Sequence, residues 1–550
     1  MSIPFSSELK VPSTSASTTS ASTSASTSAS TSPSPTPSVA SAYQLQPSYG
    51  GFSPPLLDLD IPNNQGDGSS NVSRAGSLRR VPGRKSPETP SSGGLEHFHD
   101  KNEIGPKLAI ITVGLPARGK SYMVKKLRRY LAWLGFRTKI FNVGDRRRNF
   151  ASSSTSANFF DPSNPQASHL RSQIAIETLE EMLTWLRDKG KVAIHDATNS
   201  TLARREAIRD RCAKEPNLEV LYLESICDDP DILARNIHLK LFSPDYAHLD
   251  PEVAKADFLE RLANYERAYE PLGEAEESLG ISYAKIINAG KKCITYGIHG
   301  YLEGQVLFYL MNMNLARRQI WLTRHGESEY NVSGRIGGDA PLTEKGKRYA
   351  AALARFIDQQ DENFRARQGP PGSLSGDGRI SDMDPGFHVM TSNLRRTIQT
   401  AGGFDPTRCS IKHFKFLNEL GSGICDGMTY DEIQARYPEE FRTRAQHKLS
   451  YRYPGPGGES YLDVIERLNP VLMELERLRS SSLIVSHRVV MRSILAYMLD
   501  IPSEEMVHLE CPLHWVWGID LWEHGIVVTK WRWDEETDEF FQVGGDEQES

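Results

Sequence analysis

The sequence predicts an α/β protein with two parallel-sheet domains that follow a long, disordered N-terminal tail. Strand-like and helix-like patterns alternate from about residue 107 onwards, which is typical of a parallel sheet covered by helices. Glycine-rich or polar turns follow several of these strands. The length of 550 residues exceeds what a single core accommodates, so more than one domain is expected.

Residues 1–100 have the composition of a disordered tail. Residues 13–38 consist almost wholly of Ser, Thr, Ala and Pro, which bury too little apolar surface to offset the entropy lost on ordering. Ser77 and Ser86 lie beside arginines and lysines further along the tail. The segment is either a solvated tail or one on which protein kinases act, since a phosphate would add about two negative charges there.

The first domain, 101–315, is predicted to be a parallel sheet with helices on both faces. Short apolar runs predict strands at 108–113, 138–142, 191–196, 219–223 and 283–287. Helical spacing of apolar residues covers 121–134, 170–186 and 251–269.

A second alternating series predicts another α/β domain at 316–535. Strands are predicted at 319–323, 389–391 and 483–486, and helices at 344–359, 461–478 and 489–499. Residues 361–384 are rich in Gly, Pro and Ser, which predicts a surface loop. The chain after Asp534 is acidic and is expected to fray, so 536–550 are predicted to be an acidic tail.

The turn after the first strand has the spacing of a nucleotide-binding loop. It reads Gly114-x4-Gly119-Lys120-Ser121 between a strand and a helix, which is the context the motif requires. Backbone N–H groups and the helix N-terminus would hold phosphates there. Lys120 would reach the β- and γ-phosphates, and the Ser121 hydroxyl would bind Mg²⁺. The alternative is a glycine-containing loop with an incidental lysine.

Asp196 ends another predicted strand of the same sheet. A carboxylate at the carboxyl end of a strand, beside a phosphate loop, suits a partner for Mg²⁺ or for a substrate hydroxyl. The alternative is an aspartate that caps the turn formed by residues 197–199.

The second domain carries Arg324-His325-Gly326-Glu327 directly after a predicted strand. A histidine that accepts a phosphoryl group needs one neutral ring nitrogen and cations for the phosphate oxygens. Arg396 and His487 follow two other predicted strands, so the three strand ends converge. Glu419 is a candidate general acid for the leaving oxygen. Each histidine alone is more often structural, but the combination favours catalysis.

Composition excludes several classes of function. The net charge of −6 leaves no basic footprint for nucleic acid, and no apolar run approaches the roughly 20 residues that span a membrane. No N-terminal signal sequence is apparent. The six cysteines are scattered without a paired motif, which predicts reduced thiols and a cytoplasmic location.

The two halves in this order resemble the bifunctional 6-phosphofructo-2-kinase/fructose-2,6-bisphosphatase family. The likeness runs from about Lys107 to about Asp520. Its landmarks are GLPARGKSY, FNVG, DATN, ESICDDP, SPDY, LTRHGESEYN, GRIGGD, RRTIQTA, MTYDEI, RYPEEF, GGESY and CPLH. The resemblance implies a P-loop NTPase-like domain followed by a histidine-phosphatase domain of the phosphoglycerate-mutase type. It also implies synthesis of fructose 2,6-bisphosphate from fructose 6-phosphate and ATP, and its hydrolysis through a phosphohistidine.

Family positions map onto this chain residue by residue. The resemblance implies an ATP site formed by Gly114, Leu115, Pro116, Ala117, Arg118, Gly119, Lys120, Ser121, Tyr122, Asn236 and Lys240. It implies a fructose 6-phosphate pocket of Arg148, Arg171, Thr198, Arg204, Arg261 and Tyr265. In the phosphatase half, His325 would be the phosphoryl acceptor, His487 its supporting histidine and Glu419 the proton donor. Phosphatase substrate binding would use Arg324, Asn331, Gly337, Arg396 and Arg492.

The chain departs from the family pattern at several positions. Arg146 stands where a tyrosine is usual, and the stretch from Asn236 to Lys240 is one residue short. Gly421 replaces an acidic residue, and Arg488 replaces a glutamine. The stretch 451–458 lacks a lysine and an arginine that are common there. Three hypotheses therefore stay open: two working sites, one dominant site with a weakened phosphatase, or a non-catalytic sensor of sugar phosphates. Enzymes of this family are often dimers, so the resemblance allows a homodimer.

Overall fold

The computed structural model describes residues 101–150, 157–247, 249–368, 386–522 and 525–544. The predicted tail, with Ser77 and Ser86, lies outside the described residues, as do 369–385 of the predicted loop and 545–550 at the other end. In the described part of the chain, no helix combines the length and the apolar composition that spanning a bilayer requires.

The first half, residues 101–315, is built on a six-stranded sheet in the order β2-β3-β1-β4-β5-β6. The first five strands run parallel and β6 runs antiparallel to β5. The five predicted strands are confirmed, while β6 was missed because it is an exposed edge strand without apolar alternation. The strands are β1 (Lys107–Val113), β2 (Thr138–Asn142), β3 (Val192–Asp196), β4 (Leu218–Ile226), β5 (Tyr283–Ile287) and β6 (Lys292–Tyr296).

Helices cover both faces of this sheet, as the alternation predicts. A short 3-10 turn at Ala157–Phe160 precedes α3. The helices are α1 (Lys120–Trp133), α2 (Val143–Phe150), α3 (Pro165–Asp188), α4 (Leu202–Cys212), α5 (Pro230–Leu241), α6 (Pro251–Arg267), α7 (Glu274–Ser278) and α8 (Tyr301–Asn312).

The second half, residues 316–544, contains a seven-stranded sheet in the order β13-β12-β11-β7-β10-β8-β9. Four strands are parallel, and β11, β12 and β13 form an antiparallel extension beside β7. The strands are β7 (Arg318–Arg324), β8 (Phe387–Thr391), β9 (Ser410–His413), β10 (Ser481–Ser486), β11 (Trp515–Trp522), β12 (Gly525–Trp533) and β13 (Phe540–Val543).

The helices of this half include two long ones that match the predictions at 461–478 and 489–499. Two 3-10 turns occur at Lys415–Leu417 and Gly423–Cys425. The helices are α9 (Glu329–Val332), α10 (Glu344–Gln368), α11 (Arg395–Thr400), α12 (Tyr430–Arg436), α13 (Pro438–Gln446), α14 (Tyr461–Arg477), α15 (Arg488–Leu499) and α16 (Ser503–Met506).

Two predictions about this half are wrong. The expected loop from residue 361 begins too early, because α10 continues to Gln368 and its Asp361 pairs with Arg365 one turn on at 2.8 Å. The expected fraying after Asp534 does not hold for Phe540–Val543, which form β13 against β12. Phe540 stacks on Phe356 at 4.4 Å between ring centroids, so packing orders this segment despite its acidic surroundings.

The two halves pack together through α1 of the first and α14 and α15 of the second. Leu127 and Leu131 of α1 belong to the same buried cluster as Ile494 and Met498 of α15. The Trp133 indole donates a hydrogen bond to the Ser493 carbonyl at 2.8 Å across this contact. Helix α1 begins at Lys120, in the first candidate site, and α15 begins directly after His487, in the second. Each of these helices therefore extends from its site to the contact between the halves.

Candidate active sites

The turn from Gly114 to Ser121 has the conformation that phosphate binding requires. Gly114 has φ of 128° and Gly119 has φ of 86°, where side chains are disfavoured. A Cβ on Gly114 would lie 2.6 Å from the Ser225 carbonyl oxygen of the neighbouring strand, so this position demands glycine. Ser225 in turn donates to the Arg118 carbonyl at 2.6 Å and holds the loop against β4.

Lys120 folds back over the loop. Its Nζ donates to the carbonyls of Gly114 and Leu115 at 2.6 and 2.5 Å. Burial lowers the pKa of Lys120 to about 7, although Asp196 opposes the shift. An anion at this loop would favour the charged form, so the ammonium group is suited to a phosphate.

Asp196 lies at the carboxyl end of β3, directly beside the loop. Its Oδ2 accepts hydrogen bonds from Ser121 Oγ at 2.9 Å and Asn142 Nδ2 at 2.8 Å. Among the described residues, no backbone N–H of 197–199 donates to this carboxylate. The alternative role, as a cap for that turn, is therefore not observed. Burial raises the pKa of Asp196, and Lys120 opposes that change. Sequence reasoning missed Asn142. Its position at the end of a predicted parallel strand was the observation that could have identified it as a site residue.

Most of the predicted nucleotide and sugar residues line one cavity of about 770 Å³, but Gly114 and Leu115 are not part of its wall. Lys240 lies on its wall although its segment is one residue short, and Asn236 donates to the Ala117 carbonyl at 3.0 Å. The other predicted residues on the wall are Pro116, Ala117, Arg118, Gly119, Lys120, Ser121, Tyr122, Arg148, Arg171, Thr198, Arg204, Arg261 and Tyr265.

A buried carboxylate that the sequence analysis overlooked organises the basic wall of this cavity. Asp245 accepts hydrogen bonds from Arg147, from Arg261 at 3.2 Å and from Arg148 at 3.5 Å. Arg261 also lies over the Phe160 ring at 3.8 Å. Burial alone would raise the pKa of Asp245, but the three guanidiniums hold it below its usual value. SPDY was recognised as a landmark, yet nothing local to it reveals these partners.

The second candidate site forms where β7, β8 and β10 end. The imidazoles of His325 and His487 lie 5.2 Å apart between ring centroids. His325 Nδ1 is 2.7 Å from the Gly326 carbonyl, which can only accept, so Nδ1 carries the proton and Nε2 keeps its lone pair. Burial, followed by Arg396 and Arg324, lowers the pKa of His325 well below its usual value. A neutral imidazole with a free Nε2 is the form that attacks phosphorus.

Two guanidiniums and a carboxylate surround these histidines. Arg324 donates to the Cys511 carbonyl at 3.1 Å, and Arg396 donates to the Gly338 carbonyl at 2.7 Å. Burial lowers the pKa of both arginines, while Glu419 opposes the shift in each. The Glu419 carboxylate therefore lies near both guanidiniums, and its role as proton donor stays a prediction.

The His487 ring is held in place by a side chain at the end of β8. Its Nε2 is 2.8 Å from Ser392 Oγ at the end of β8, a contact that the sequence did not reveal. Burial lowers the pKa of His487 well below its usual value, and Arg396 and His325 add to the effect. This imidazole is therefore neutral as well.

The other predicted phosphatase residues occupy supporting positions. Asn331 accepts from the Ser328 backbone N–H at 3.0 Å and caps α9. Gly337 has φ of 71°, and a Cβ there would lie 1.8 Å from Asp426 Oδ1. Arg492 donates to the Tyr461 hydroxyl at 2.8 Å.

Two cations beside Arg492 and Arg488, namely Lys448 and Arg444, were missed by sequence reasoning. Burial lowers the pKa of Lys448, and Arg492, Arg444 and Arg488 lower it further. Arg444 donates to the Tyr430 hydroxyl at 3.1 Å. These side chains come from α13, the following turn and α15, so only the fold brings them together. They supply positive charge on the side of the site where 451–458 lacks it.

The structure explains two of the departures from the family pattern. Arg146 points away from the cavity and pairs with Glu181 at 2.9 Å and Glu177 at 3.3 Å on α3. A Cβ on Gly421 would lie 2.0 Å from the Gly457 carbonyl oxygen, so no side chain fits there. The altered loop and the missing acidic residue are thus two parts of one packing arrangement.

The segment from Cys511 to His514 braces the loop that carries His325. Its Cys511 carbonyl accepts from Arg324, and His514 Nε2 accepts from the Glu327 backbone N–H at 3.3 Å. His514 has φ of 64°, which is unfavourable for a histidine, and its ring packs against Tyr349 at 4.8 Å. Sequence reasoning assigned this histidine no role.

Comparison with known proteins identifies both halves. A model of the 6-phosphofructo-2-kinase family matches residues 97–317, and a model of the histidine phosphatase superfamily (branch 1) matches 320–366 and 378–534. A probable 6-phosphofructo-2-kinase of Schizosaccharomyces pombe is 45% identical over 508 residues, which cover 86% of this chain and 75% of that protein. A 6-phosphofructo-2-kinase/fructose-2,6-bisphosphatase of Aquarana catesbeiana is 45% identical over 409 residues, or 74% of this chain and 81% of that protein.

A third relative, 6-phosphofructo-2-kinase/fructose-2,6-bisphosphatase 3 of Homo sapiens, is 41% identical over 419 residues, which cover 75% of each chain. The fold and the two sites define a phosphoryl-transfer protein with a phosphate-loop half and a histidine-phosphatase half. More particularly, the chain belongs to the 6-phosphofructo-2-kinase/fructose-2,6-bisphosphatase family.

Proposed function

We propose that this chain is a bifunctional enzyme that makes fructose 2,6-bisphosphate from fructose 6-phosphate and ATP, and hydrolyses its 2-phosphate. It thereby regulates the balance of glycolysis and gluconeogenesis. The observation that carries the proposal is the coexistence of two complete chemical centres. Ser121 and Asp196 are hydrogen-bonded beside the phosphate loop, and neutral His325 lies among Arg324, Arg396 and His487.

In the first site, the 2-hydroxyl of fructose 6-phosphate attacks the γ-phosphorus of ATP. The new O–P bond forms as the bond to the bridging oxygen breaks, and the electron pair leaves with ADP. Asp196 orients the hydroxyl by accepting its hydrogen bond, and this carboxylate takes up the proton that the hydroxyl loses and passes it to water. Lys120 and Lys240 stabilise charge on the transferred group, since positioning and electrostatics carry most phosphoryl-transfer catalysis.

Mg²⁺ suits the oxygen donors of this site. Ser121 Oγ and Asp196 Oδ2 lie 2.9 Å apart and offer a hydroxyl and a carboxylate, which are hard ligands of the kind Mg²⁺ binds together with phosphate and water. We assign the ion to these two residues, where it would neutralise charge on the phosphates. No step above depends on a position for the ion.

The sugar phosphate binds on the basic wall of the cavity. Arg261 and Arg148 are held in place by Asp245, and Arg204 by Ser172 Oγ at 2.7 Å. Each planar guanidinium can donate two parallel hydrogen bonds to two oxygens of one phosphate. Guanidiniums held at fixed positions therefore favour a sugar phosphate over an uncharged sugar. We assign Arg171, Thr198 and Tyr265 to the same pocket.

In the second site, His325 Nε2 attacks the phosphorus of the 2-phosphate. The P–O bond to the sugar breaks, and Glu419 gives its proton to the leaving oxygen. Water then attacks the phosphohistidine, with Glu419 taking up the proton, and releases inorganic phosphate. Arg324, Arg396 and His487 stabilise the transferring phosphoryl group.

A second candidate function is a predominant kinase with a weakened phosphatase. It is favoured by Gly421, which leaves Glu419 without the acidic neighbour usual in the family and has no room for one. The S. pombe relative is also named for the kinase reaction alone. The intact pair of histidines argues against complete loss of hydrolysis.

Paired assays on the purified chain test these functions. We expect His325→Ala to abolish hydrolysis of fructose 2,6-bisphosphate and to preserve its synthesis, because the two centres share no residue. Lys120→Ala is expected to do the reverse. If either variant left its own reaction at the wild-type rate, the corresponding assignment would be wrong. Wild-type hydrolysis several orders of magnitude below synthesis would favour the predominant kinase.

We further propose that the enzyme acts in the cytoplasm and forms a homodimer through the kinase half. Protein kinases acting on the N-terminal tail would regulate it. These proposals are supported by the composition of the chain and by its family. Size measurement in solution and phosphate mapping of residues 1–100 test them.

A further inference from the structure

A cleft of about 480 Å³ lies between α1 of the first half and strands β7 and β11 of the second. Five cations line it, namely Lys125, Lys126, Arg128 and Arg129 of α1 and Arg318 of β7. We call the space lined by these five residues the basic cleft. Its wall also carries the apolar side chains of Leu315, Leu521, Trp522 and Ile526. The basic cleft therefore combines a cluster of positive charge with apolar surface.

Within the described residues, the basic cleft carries more positive charge than its acidic neighbours neutralise. Asp500 is the acidic residue on its wall, and it pairs with Arg128. Buried Glu476 pairs with Lys126 at 2.6 Å and lies 3.8 Å from Arg129. Five cations against these two carboxylates leave an excess of three positive charges. Such an excess in a concave site attracts anions.

Some donor groups of these cations lack acceptors among the described residues. Lys125 is exposed and pairs with no described side chain. Arg318 is only 2% exposed, yet its Nε is buried without an acceptor. The Nε of Arg129 is likewise buried without one. Because a buried donor without a partner is destabilising, these groups favour a ligand that accepts hydrogen bonds.

The two buried guanidiniums are held at fixed positions by the fold. Arg318 donates to the Leu475 carbonyl at 3.1 Å and opposes Leu521 in the β7–β11 pair. Arg129 donates to the Met498 carbonyl at 3.0 Å and lies over the Tyr497 ring at 4.6 Å. Side chains that are already ordered lose little freedom when a ligand binds, which favours affinity.

The basic cleft is separate from the nucleotide cavity, although the two spaces share part of a wall. Tyr122 and Leu315 line both of them. Gly119, Lys120 and Ser121 of the phosphate loop line the nucleotide cavity and are not part of the wall of the basic cleft. A ligand in the basic cleft would therefore lie beside the nucleotide without touching the phosphate loop.

We propose that the basic cleft binds a small organic polyanion, a molecule that carries two or more phosphate or carboxylate groups on an apolar body. The cations hold the charged groups through charge-assisted hydrogen bonds. Leu521 and Trp522 cover the apolar body. The volume of about 480 Å³ suits a ligand of metabolite size, since small-molecule sites measure roughly 300–1,000 Å³.

Protection of Lys125 from acetylation by acetic anhydride, measured by mass spectrometry on the full-length chain, tests the site. Inorganic pyrophosphate and tricarballylate serve as probes for the phosphate and the carboxylate class. We expect at least one probe to protect Lys125, while Lys189, an exposed lysine after α3, stays unprotected. The probe with the lower midpoint identifies the class. If neither probe protected Lys125 at millimolar concentration, or if Lys189 were protected equally, the proposal would be overturned.

Three variants show whether this protection reports on the basic cleft. Arg128→Gln is expected to raise the midpoint about tenfold, because it removes one cation and leaves Asp500 unpaired. Arg209→Gln is the matched control, since it breaks a similar surface pair with Asp210 on α4 and is expected to change nothing. Lys120→Ala is also expected to leave the midpoint unchanged. An unchanged midpoint in Arg128→Gln would overturn the proposal, and so would an equal rise in Lys120→Ala, which would assign the protection to the nucleotide cavity.

A carboxylate of the chain itself is the rival occupant. Glu523 follows Trp522 in sequence and lies outside the described residues, as does the acidic segment 545–550. We expect Glu523→Gln, and a chain ended at Gly544, to show the wild-type midpoint. A midpoint that falls about tenfold in either protein would mean that its own carboxylate fills the basic cleft, and the proposal would be wrong.

Discussion

Replacing Asp245 by Asn tests the role of the buried carboxylate that organises the sugar-phosphate wall. This side chain is 4% exposed and is shared by Arg147, Arg148 and Arg261. The amide keeps one acceptor oxygen and removes the negative charge. The three guanidiniums then lose the carboxylate that they share, while Arg148 keeps its pair with exposed Asp145.

The expected loss of stability is large because the partners stay buried. Breaking a buried ion pair by removing one charge costs about 3–5 kcal/mol, and the remaining acceptor places Asp245→Asn near the lower value. For a half of roughly 200 residues, about 3 kcal/mol lowers Tm by about 6–12 °C. Asp145→Asn is the matched control, since it removes an exposed partner of Arg148 and is expected to cost under about 1 kcal/mol.

Thermal unfolding of both variants, with and without fructose 6-phosphate, provides the assay. The ligand is expected to restore part of the lost Tm, because its phosphate takes the place of the carboxylate. The folded-state pKa of Asp245 lies below its unfolded value, so its stabilisation is present above about pH 4 and is lost as the pH falls through the folded pKa. A Tm within 2 °C of wild type for Asp245→Asn, or an equal loss for Asp145→Asn, would refute this reasoning.

Three further predictions concern the second half and its contact with the first. Gly337→Ala is expected to lower the rate of hydrolysis far more than Gly334→Ala. Both positions have similar positive φ, but only a Cβ at Gly337 would meet Asp426. Steady-state rates of hydrolysis compare the two variants. His514→Phe removes the acceptor for the Glu327 N–H, so kcat for hydrolysis is expected to fall while synthesis is unchanged; His514→Gln, which keeps an acceptor, is expected to recover part of it. Glu476→Gln is expected to destabilise the chain at neutral pH. The difference from wild type is expected to disappear as the pH falls from about 4 toward 2, since the folded pKa of Glu476 is about 2; acid unfolding curves measure this.

The regular parts of the fold were predictable because their signals are local. Buried parallel strands such as β1, β3 and β10 are short apolar runs, and α14 and α15 show helical spacing. The edge strands β6 and β13 escaped prediction because much of their surface meets solvent, so neither shows the apolar pattern of a buried strand. The end of α10 was misplaced because polar residues at 361–368 continue a helix through ion pairing rather than apolar spacing.

Site prediction divides in the same way. Lys120, Ser121 and His325 could be predicted because contiguous motifs at strand ends specify their chemistry. The partners of Asp245 and the cluster around Lys448 come from segments far apart in sequence, so no local pattern marks them. Ser392 and His514 act through single contacts that exist only after β8, β10 and β11 are assembled.

The sequence by itself determined the fold class and the order of the two halves, and it predicted which residues carry each reaction, because strand spacing and short motifs encode these features directly. Tertiary structure alone decided how Asp245 holds three arginines, why Gly421 and Gly457 accompany each other, and how α1 meets α15. Those features depend on backbone segments approaching within a few ångströms. Such approach is set by packing of the whole chain, and no stretch of sequence records it.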